Sequence, residues 1–125
     1  MTERQYFNLY IQDAVDKGRG VFTEDFIPAH AVVEACPVIV IDPSEVEFFS
    51  ESRSLSDYLF QWAENGLALA LALGYGGLYN HSEDPNLVET REFDRRMIIF
   101  RARRDIQPEE ELTIQYRIVW FSWHP

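Results

Sequence analysis

Apolar and polar residues alternate with a period of two along much of this chain, the spacing that turns one face of a strand inward and the other to water. Phe7-Asn8-Leu9-Tyr10-Ile11 follows this pattern. Ala31-Val32-Val33-Glu34-Ala35-Cys36 and Val38-Ile39-Val40-Ile41 are β-branched and apolar, a composition that favours extended backbone. Pro28, Pro37 and Pro43 punctuate these runs. Proline has no N–H to give a ladder, so Pro37 predicts two short strands or an edge position.

From Asp42 to Ser56 the chain turns polar and reads as a surface loop or short helix. In Leu67-Ala68-Leu69-Ala70-Leu71-Ala72-Leu73 the leucines fall on every second residue, which places them on one face of a strand although the composition suits a helix. Asn65-Gly66 just before it is a hairpin signal, and the pattern predicts a hairpin of Tyr58–Ala63 with Leu67–Leu73. Arg96–Ala102 and Glu111–Tyr116 read as further strands, separated by the turn Asp105-Ile106-Gln107-Pro108. Helix is the minority element, and the fold class is mainly β. No repeat, low-complexity tract or flexible linker interrupts residues 1–125, which read as a single domain.

Acidic residues outnumber basic ones 21 to 11, for a formal net charge of −10. A nucleic-acid backbone would be repelled and a basic protein tail attracted. With Cys36 the only cysteine, no internal disulfide or cysteine-based zinc cage can form, and an intracellular setting is expected. No apolar run approaches the roughly 20 residues that cross a bilayer, so no membrane partner is expected.

Three segments could carry chemistry. Lys17-Gly18-Arg19-Gly20-Val21-Phe22 sets two glycines around one residue, which lets backbone amides approach an anion, or simply makes a turn between strands. Asn80-His81-Ser82-Glu83-Asp84-Pro85-Asn86 is rich in short polar side chains that cap backbone groups and wind a tight loop. His30 and His124 have no ligand-like spacing from His81, so no metal site is expected. Tyr116 ends the last alternating run and is followed by Trp120, Phe121 and Trp123, an aromatic group that suits a packed lid.

Taken in order, Lys17–Phe22, Asn80-His81-Ser82 with Pro85-Asn86, and Glu110-Glu111-Leu112-Thr113-Ile114-Gln115-Tyr116 resemble the SET-domain family of protein-lysine methyltransferases. The resemblance runs from about residue 17 to 121. It is closest to the minimal viral histone methyltransferases of that family, through Asp57-Tyr58-Leu59-Phe60, Ala72-Leu73-Gly74-Tyr75-Gly76 and Arg96-Met97. It implies a SET-domain fold of short twisted sheets with a C-terminal pseudoknot. The cofactor it implies is S-adenosyl-L-methionine, and the partner a basic, histone-like protein or peptide bearing the target lysine.

By the same resemblance Gly18, Arg19 and Gly20 form the cofactor loop, Arg19 mainly through its backbone. Asn80 and His81 bind the cofactor's amino group and adenine, and Tyr58 and Tyr75 line the site. Tyr116 is the catalytic side chain where cofactor and lysine meet, and Trp120, Phe121 and Trp123 wall the substrate channel. Gln115 and Gly77 depart from the family pattern, at positions where an acidic residue and an arginine are frequent, and Trp120 stands where the viral relatives that this chain resembles carry a second active-site tyrosine. A catalytically silent SET fold that binds peptide or senses cofactor is the alternative. A homodimer is expected, through the terminal aromatics or through Phe48-Phe49 in the otherwise polar loop.

Overall fold

Strands form along the alternating and β-branched runs, because one face of each can be buried while its backbone is satisfied by a neighbour. The computed structural model describes residues 6–15, 18–62 and 68–115. In chain order its strands are β1 (Leu9–Ala14), β2 (Gly18–Thr23), β3 (Val32–Ile41), β4 (Leu59–Gln61), β5 (Leu69–Ala72), β6 (Asn80–His81), β7 (Leu87–Glu92), β8 (Met97–Ala102) and β9 (Glu111–Ile114). Among the described residues one short α-helix, α1 (Val46–Ser50), lies in the polar stretch after β3. The strands make a four-stranded sheet in the order β1-β2-β9-β6 and a five-stranded sheet in the order β4-β5-β3-β8-β7.

Pro37 does not break β3 or put it at an edge. β3 is the central strand of the larger sheet and changes partner at the proline: Val32–Pro37 pairs with β8, and Val38–Ile41 pairs with β5. The missing N–H therefore falls where one ladder ends and the other begins, and the Pro37 carbonyl still accepts from the Leu73 N–H at 2.9 Å. Where the sequence predicts two short strands, one continuous strand makes two short pairings in succession.

β4 and β5 form the expected antiparallel pair, with Phe60 opposite Ala70. Both faces of β5 are covered, which the leucine alternation alone does not reveal. Leu69 packs with Ile41 and Val46 beneath α1, while Ala70 and Ala72 face the main core with Val33, Ile98 and Phe100. Phe49 joins the α1 side and Phe48 stays 73% exposed, so only one of the two phenylalanines expected to serve self-association remains at the surface.

The larger sheet curls until its two outer strands face each other. β4 and β7 share no ladder, yet the Arg91 Nε–H of β7 donates to the Gln61 carbonyl of β4 at 2.7 Å. Beyond them Trp62 and Phe93 meet edge-on with centroids 5.0 Å apart. The Arg91 guanidinium also sits 5.6 Å from the centre of the Phe60 ring and pairs with Glu89 at 2.7 Å. This seam, closed by side chains rather than by backbone, borders the candidate site. The expected pseudoknot involves residues after Gln115 and lies outside the described ones, and no described helix is long and apolar enough to cross a membrane.

Candidate active site

β6 is only two residues long, and it lies parallel to β9 with Asn80 opposite Thr113 and His81 opposite Ile114. So short a pairing needs other ties, and Asn86 supplies them. Its Nδ2 donates to the Glu111 carbonyl at 2.8 Å, its Oδ1 accepts the Thr113 N–H at 2.8 Å, and its own N–H reaches Thr113 Oγ1 at 3.3 Å. Asn86 is 2% exposed, so these groups have exchanged water for protein partners, and leaving any one unpaired would be costly. The Asp84 N–H donates to Ser82 Oγ at 3.1 Å, which winds the loop between His81 and Asn86 tightly enough for one side chain to reach β9.

The Gly18–Gly20 segment is part of strand β2, paired with Gln12–Ala14, and not a turn between strands. Its two glycines meet different demands. Gly18 has φ of 75°, a conformation glycine adopts freely, and a side chain there would meet open space. Gly20 is required by close approach, because a Cβ would run into the Glu111 carboxylate and lie 3.0 Å from Asn80 Nδ2. Asn80 Nδ2 in turn donates to the Arg19 carbonyl at 2.9 Å and to Glu111 Oε2 at 2.8 Å. Residues 61 positions apart in sequence are thus joined through one amide.

The turn that delivers β6 is wound around a buried carboxylate. Glu34 of β3 accepts the Tyr79 hydroxyl at 2.6 Å and the Tyr75 N–H at 2.9 Å. Gly74, with φ of 77°, passes so close that a Cβ would collide with Glu34, and a Cβ on Gly76 would lie 2.8 Å from that of Ala72. Burial pushes the Tyr79 hydroxyl well above its ordinary value, and the charge and hydrogen bond of Glu34 add to the shift. Burial likewise raises the Cys36 thiol, again with help from Glu34, while the Gly76 N–H bonding to the sulfur opposes it. Cys36 is therefore a protonated core residue and not a nucleophile.

A cavity of about 400 Å³ opens at the seam, lined by Tyr58, Phe60, Tyr79, Asn80, Arg91 and Ile114 among others. Its size and its mix of aromatic walls with a few polar groups are those of a small-ligand site. Among the residues singled out in the sequence, Tyr58 and Asn80 line it, and Arg19 and Gly20 adjoin it through Asn80. His81 follows Asn80 in β6, partly exposed, with Nε2 3.2 Å from Glu83 Oε1. Tyr75 is directed elsewhere: its N–H goes to Glu34, and its hydroxyl lies 3.5 Å from the Leu9 carbonyl. Tyr116, Trp120, Phe121 and Trp123 lie outside the described residues.

The residue that sequence reasoning passed over is Glu111. In an alternating strand Glu110 and Glu111 must point to opposite faces. Glu111 stands opposite Phe22 of β2, and its carboxylate reaches back along that strand to Gly20. The signal was present as a small residue beside an acidic one, and only the register joins them.

The chain matches the SET-domain family over residues 18–117. It is 35% identical over 115 residues to a Schizosaccharomyces pombe histone-lysine N-methyltransferase specific for H3 lysine-37, covering 91% of this chain and 77% of that protein. Among solved structures it resembles a Plasmodium falciparum protein assigned as a histone methyltransferase, with a TM-score of 0.70 and 32% identity, covering 92% of this chain and 97% of the other. It also resembles the methyltransferase domain of human histone-lysine N-methyltransferase SETMAR, with a TM-score of 0.71 and 27% identity over 90% of this chain and 45% of that one. The curled sheets, the β6–β9 pairing and these likenesses agree, and the chain belongs to the SET-domain family of lysine methyltransferases.

Proposed function

We propose that this chain transfers a methyl group from S-adenosyl-L-methionine to the ε-amine of a lysine in a basic, histone-like protein. The observation that carries this reading is the junction at Asn80, where the glycine strand β2, the short strand β6 and the aromatic-lined cavity meet at one amide. The residues present suit the cofactor. Asn80 lines the cavity with its Nδ2 bound to Arg19 and Glu111, which leaves its amide oxygen as the acceptor for a ligand, Gly18 leaves open space over its backbone, and Tyr58 offers an aromatic face. Bound there, S-adenosylmethionine would supply an electrophilic methyl group and a positive sulfonium.

The chain's own task is to deliver a neutral amine. A free lysine, with pKa of about 10.4, is almost wholly charged near neutrality. An aromatic channel that excludes water disfavours the charged form, so no strong side-chain base is needed. In this reading the Tyr116 hydroxyl orients the amine, Tyr58 lines the channel, and Trp120, Phe121 and Trp123 wall it. The catalytic gain is then mainly proximity and preorganised electrostatics.

The acidic balance of the chain, −10, supports a basic substrate, and the specificity named for the S. pombe relative supports histone H3 as the first to try. Such a substrate would put the protein in the nucleus of a eukaryotic host. A homodimer belongs to the same reading, and the exposed Phe48 is the described residue that best supports a self-contact. The test is incubation with labelled S-adenosylmethionine and a panel of basic proteins, followed by mapping of the label. Label on a lysine of a histone is expected, and no transfer to any basic protein would reject the activity.

A further inference from the structure

Asn80 can present only an acceptor to a ligand in the cavity. Its Nδ2 donates to the Arg19 carbonyl at 2.9 Å and to the Glu111 carboxylate at 2.8 Å, which occupies both amide hydrogens. Neither partner can donate, so the amide cannot be turned round, and Oδ1 must face away from them. No described residue hydrogen-bonds Oδ1, and Asn80 lines the cavity.

We propose that Glu111 is a positioning residue for cofactor recognition: it locks Asn80 with its oxygen outward, so that the site selects a ligand carrying a positively charged amine. The proposal rests on the methyltransferase reading, in which that amine is the ammonium at the amino-acid end of S-adenosylmethionine. A bond from an amide to a carboxylate is charge-assisted and draws electron density toward the far oxygen, which strengthens Oδ1 as an acceptor for an ammonium. Gly20 belongs to the same device. Its missing side chain is the space in which the Glu111 carboxylate lies, so the second glycine of the Gly18-Arg19-Gly20 motif serves Glu111 rather than backbone conformation.

A purely structural tie between β2, β6 and β9 would use the same bonds, and the test separates the two. Affinities of the full chain for S-adenosylmethionine and for 5′-methylthioadenosine, which keeps adenine, ribose and sulfur but lacks the amino-acid end, are measured by calorimetry alongside the melting temperature. Glu111→Ala is expected to weaken S-adenosylmethionine about tenfold or more, the loss typical of a charge-assisted bond, and to leave 5′-methylthioadenosine within about twofold. Glu111→Gln keeps an acceptor for Asn80 without the charge, and should fall between wild type and Glu111→Ala.

Gly20→Ala guards against a folding defect in the Glu111 variants. Its Cβ displaces the end of a long side chain rather than backbone, so the protein should fold and show the same selective loss. In Asn80→Ala the further change Glu111→Ala should cost little, because Glu111 acts through Asn80. Unchanged S-adenosylmethionine affinity in folded Glu111→Ala and Gly20→Ala would overturn the proposal and leave the methyltransferase reading standing. Equal weakening of both ligands would also overturn it, in favour of a structural tie. A wild-type chain that binds neither ligand would remove the methyltransferase reading and the proposal together.

Discussion

In the five-stranded sheet β3 pairs with β8 along Val32–Pro37 and with β5 along Val38–Ile41, and apolar side chains fill the space on both sides. In the four-stranded sheet β9 meets β2 at Val21 and Phe22, and β6 at only Asn80 and His81. There the pairings are extended by side chains: Asn86 bonds β9, Asn80 joins β2 to β9, and Glu34 holds the turn that feeds β6. The larger sheet is a scaffold fixed by burial, which is non-directional and tolerates exchange of one apolar residue for another of similar volume. The smaller sheet shares that buried core through Leu9, Val21, Leu112 and Ile114, and at its β6–β9 corner it adds directional bonds, which place a few polar atoms accurately and fail one at a time. A site that must aim an amide oxygen is built on the second kind.

Breaking the scaffold should have the largest effect on stability. Phe100 is fully buried in β8, between the rings of Tyr79 and Phe60. Phe100→Ala should cost about 3–5 kcal/mol in a denaturant titration, a large fraction of the roughly 5–15 kcal/mol that keeps an average domain folded. A loss under about 1 kcal/mol would show that the core does not carry the fold.

Asn86→Ala tests the polar sheet. It strands the buried Thr113 N–H and the Glu111 carbonyl, and should cost about 2–3 kcal/mol. Unlike the core change, Asn86→Ser at the same position should not restore it, because no shorter side chain spans both groups. Recovery of full stability by serine would mean that packing rather than bonding holds β6 to β9.

The smallest expected effect is at the Glu34 turn. Tyr79→Phe keeps the ring against Phe100 and removes one bond, costing about 1 kcal/mol near neutral pH. Its signature is in the pH profile. Tyr79 and Cys36 hold their protons in the folded protein above their ordinary values of 10.0 and 9.0, so above about pH 9 the folded state binds more protons than the unfolded chain. Stability should then fall as pH rises, and these two groups should add no pH dependence below their unfolded values. Tyr79→Phe should make the fall shallower above pH 10, and an unchanged profile would show that Tyr79 is not held protonated.

Much of this contrast can be read from the sequence, and its limits are physical. The scaffold strands β3, β5 and β8 are legible because burial imposes alternation or β-branching over several residues. β7 is hidden: Glu89, Thr90, Arg91 and Glu92 look polar, since the strand uses Glu89 and Arg91 to close a seam rather than to fill a core. Pro37 misleads because a ladder can change partner at a proline without the strand ending. In the site, Gly18, Gly20 and Asn80 are visible as motifs, yet the reason for Gly20 is Glu111, more than ninety residues later, and no local pattern connects them. Tyr58 and Tyr75 read alike in sequence, and only the curl of the sheet decides that one lines the cavity while the other braces the Glu34 turn.

The proposed chemistry is tested most directly by methyl transfer from S-adenosylmethionine to histone H3 in wild type and Tyr116→Phe, with cofactor affinity measured on the same samples. Removing one positioned hydroxyl should lower turnover by about 10²-fold or more while cofactor affinity and melting temperature stay near wild type. Wild-type turnover in Tyr116→Phe would contradict the assignment of Tyr116 as the catalytic side chain.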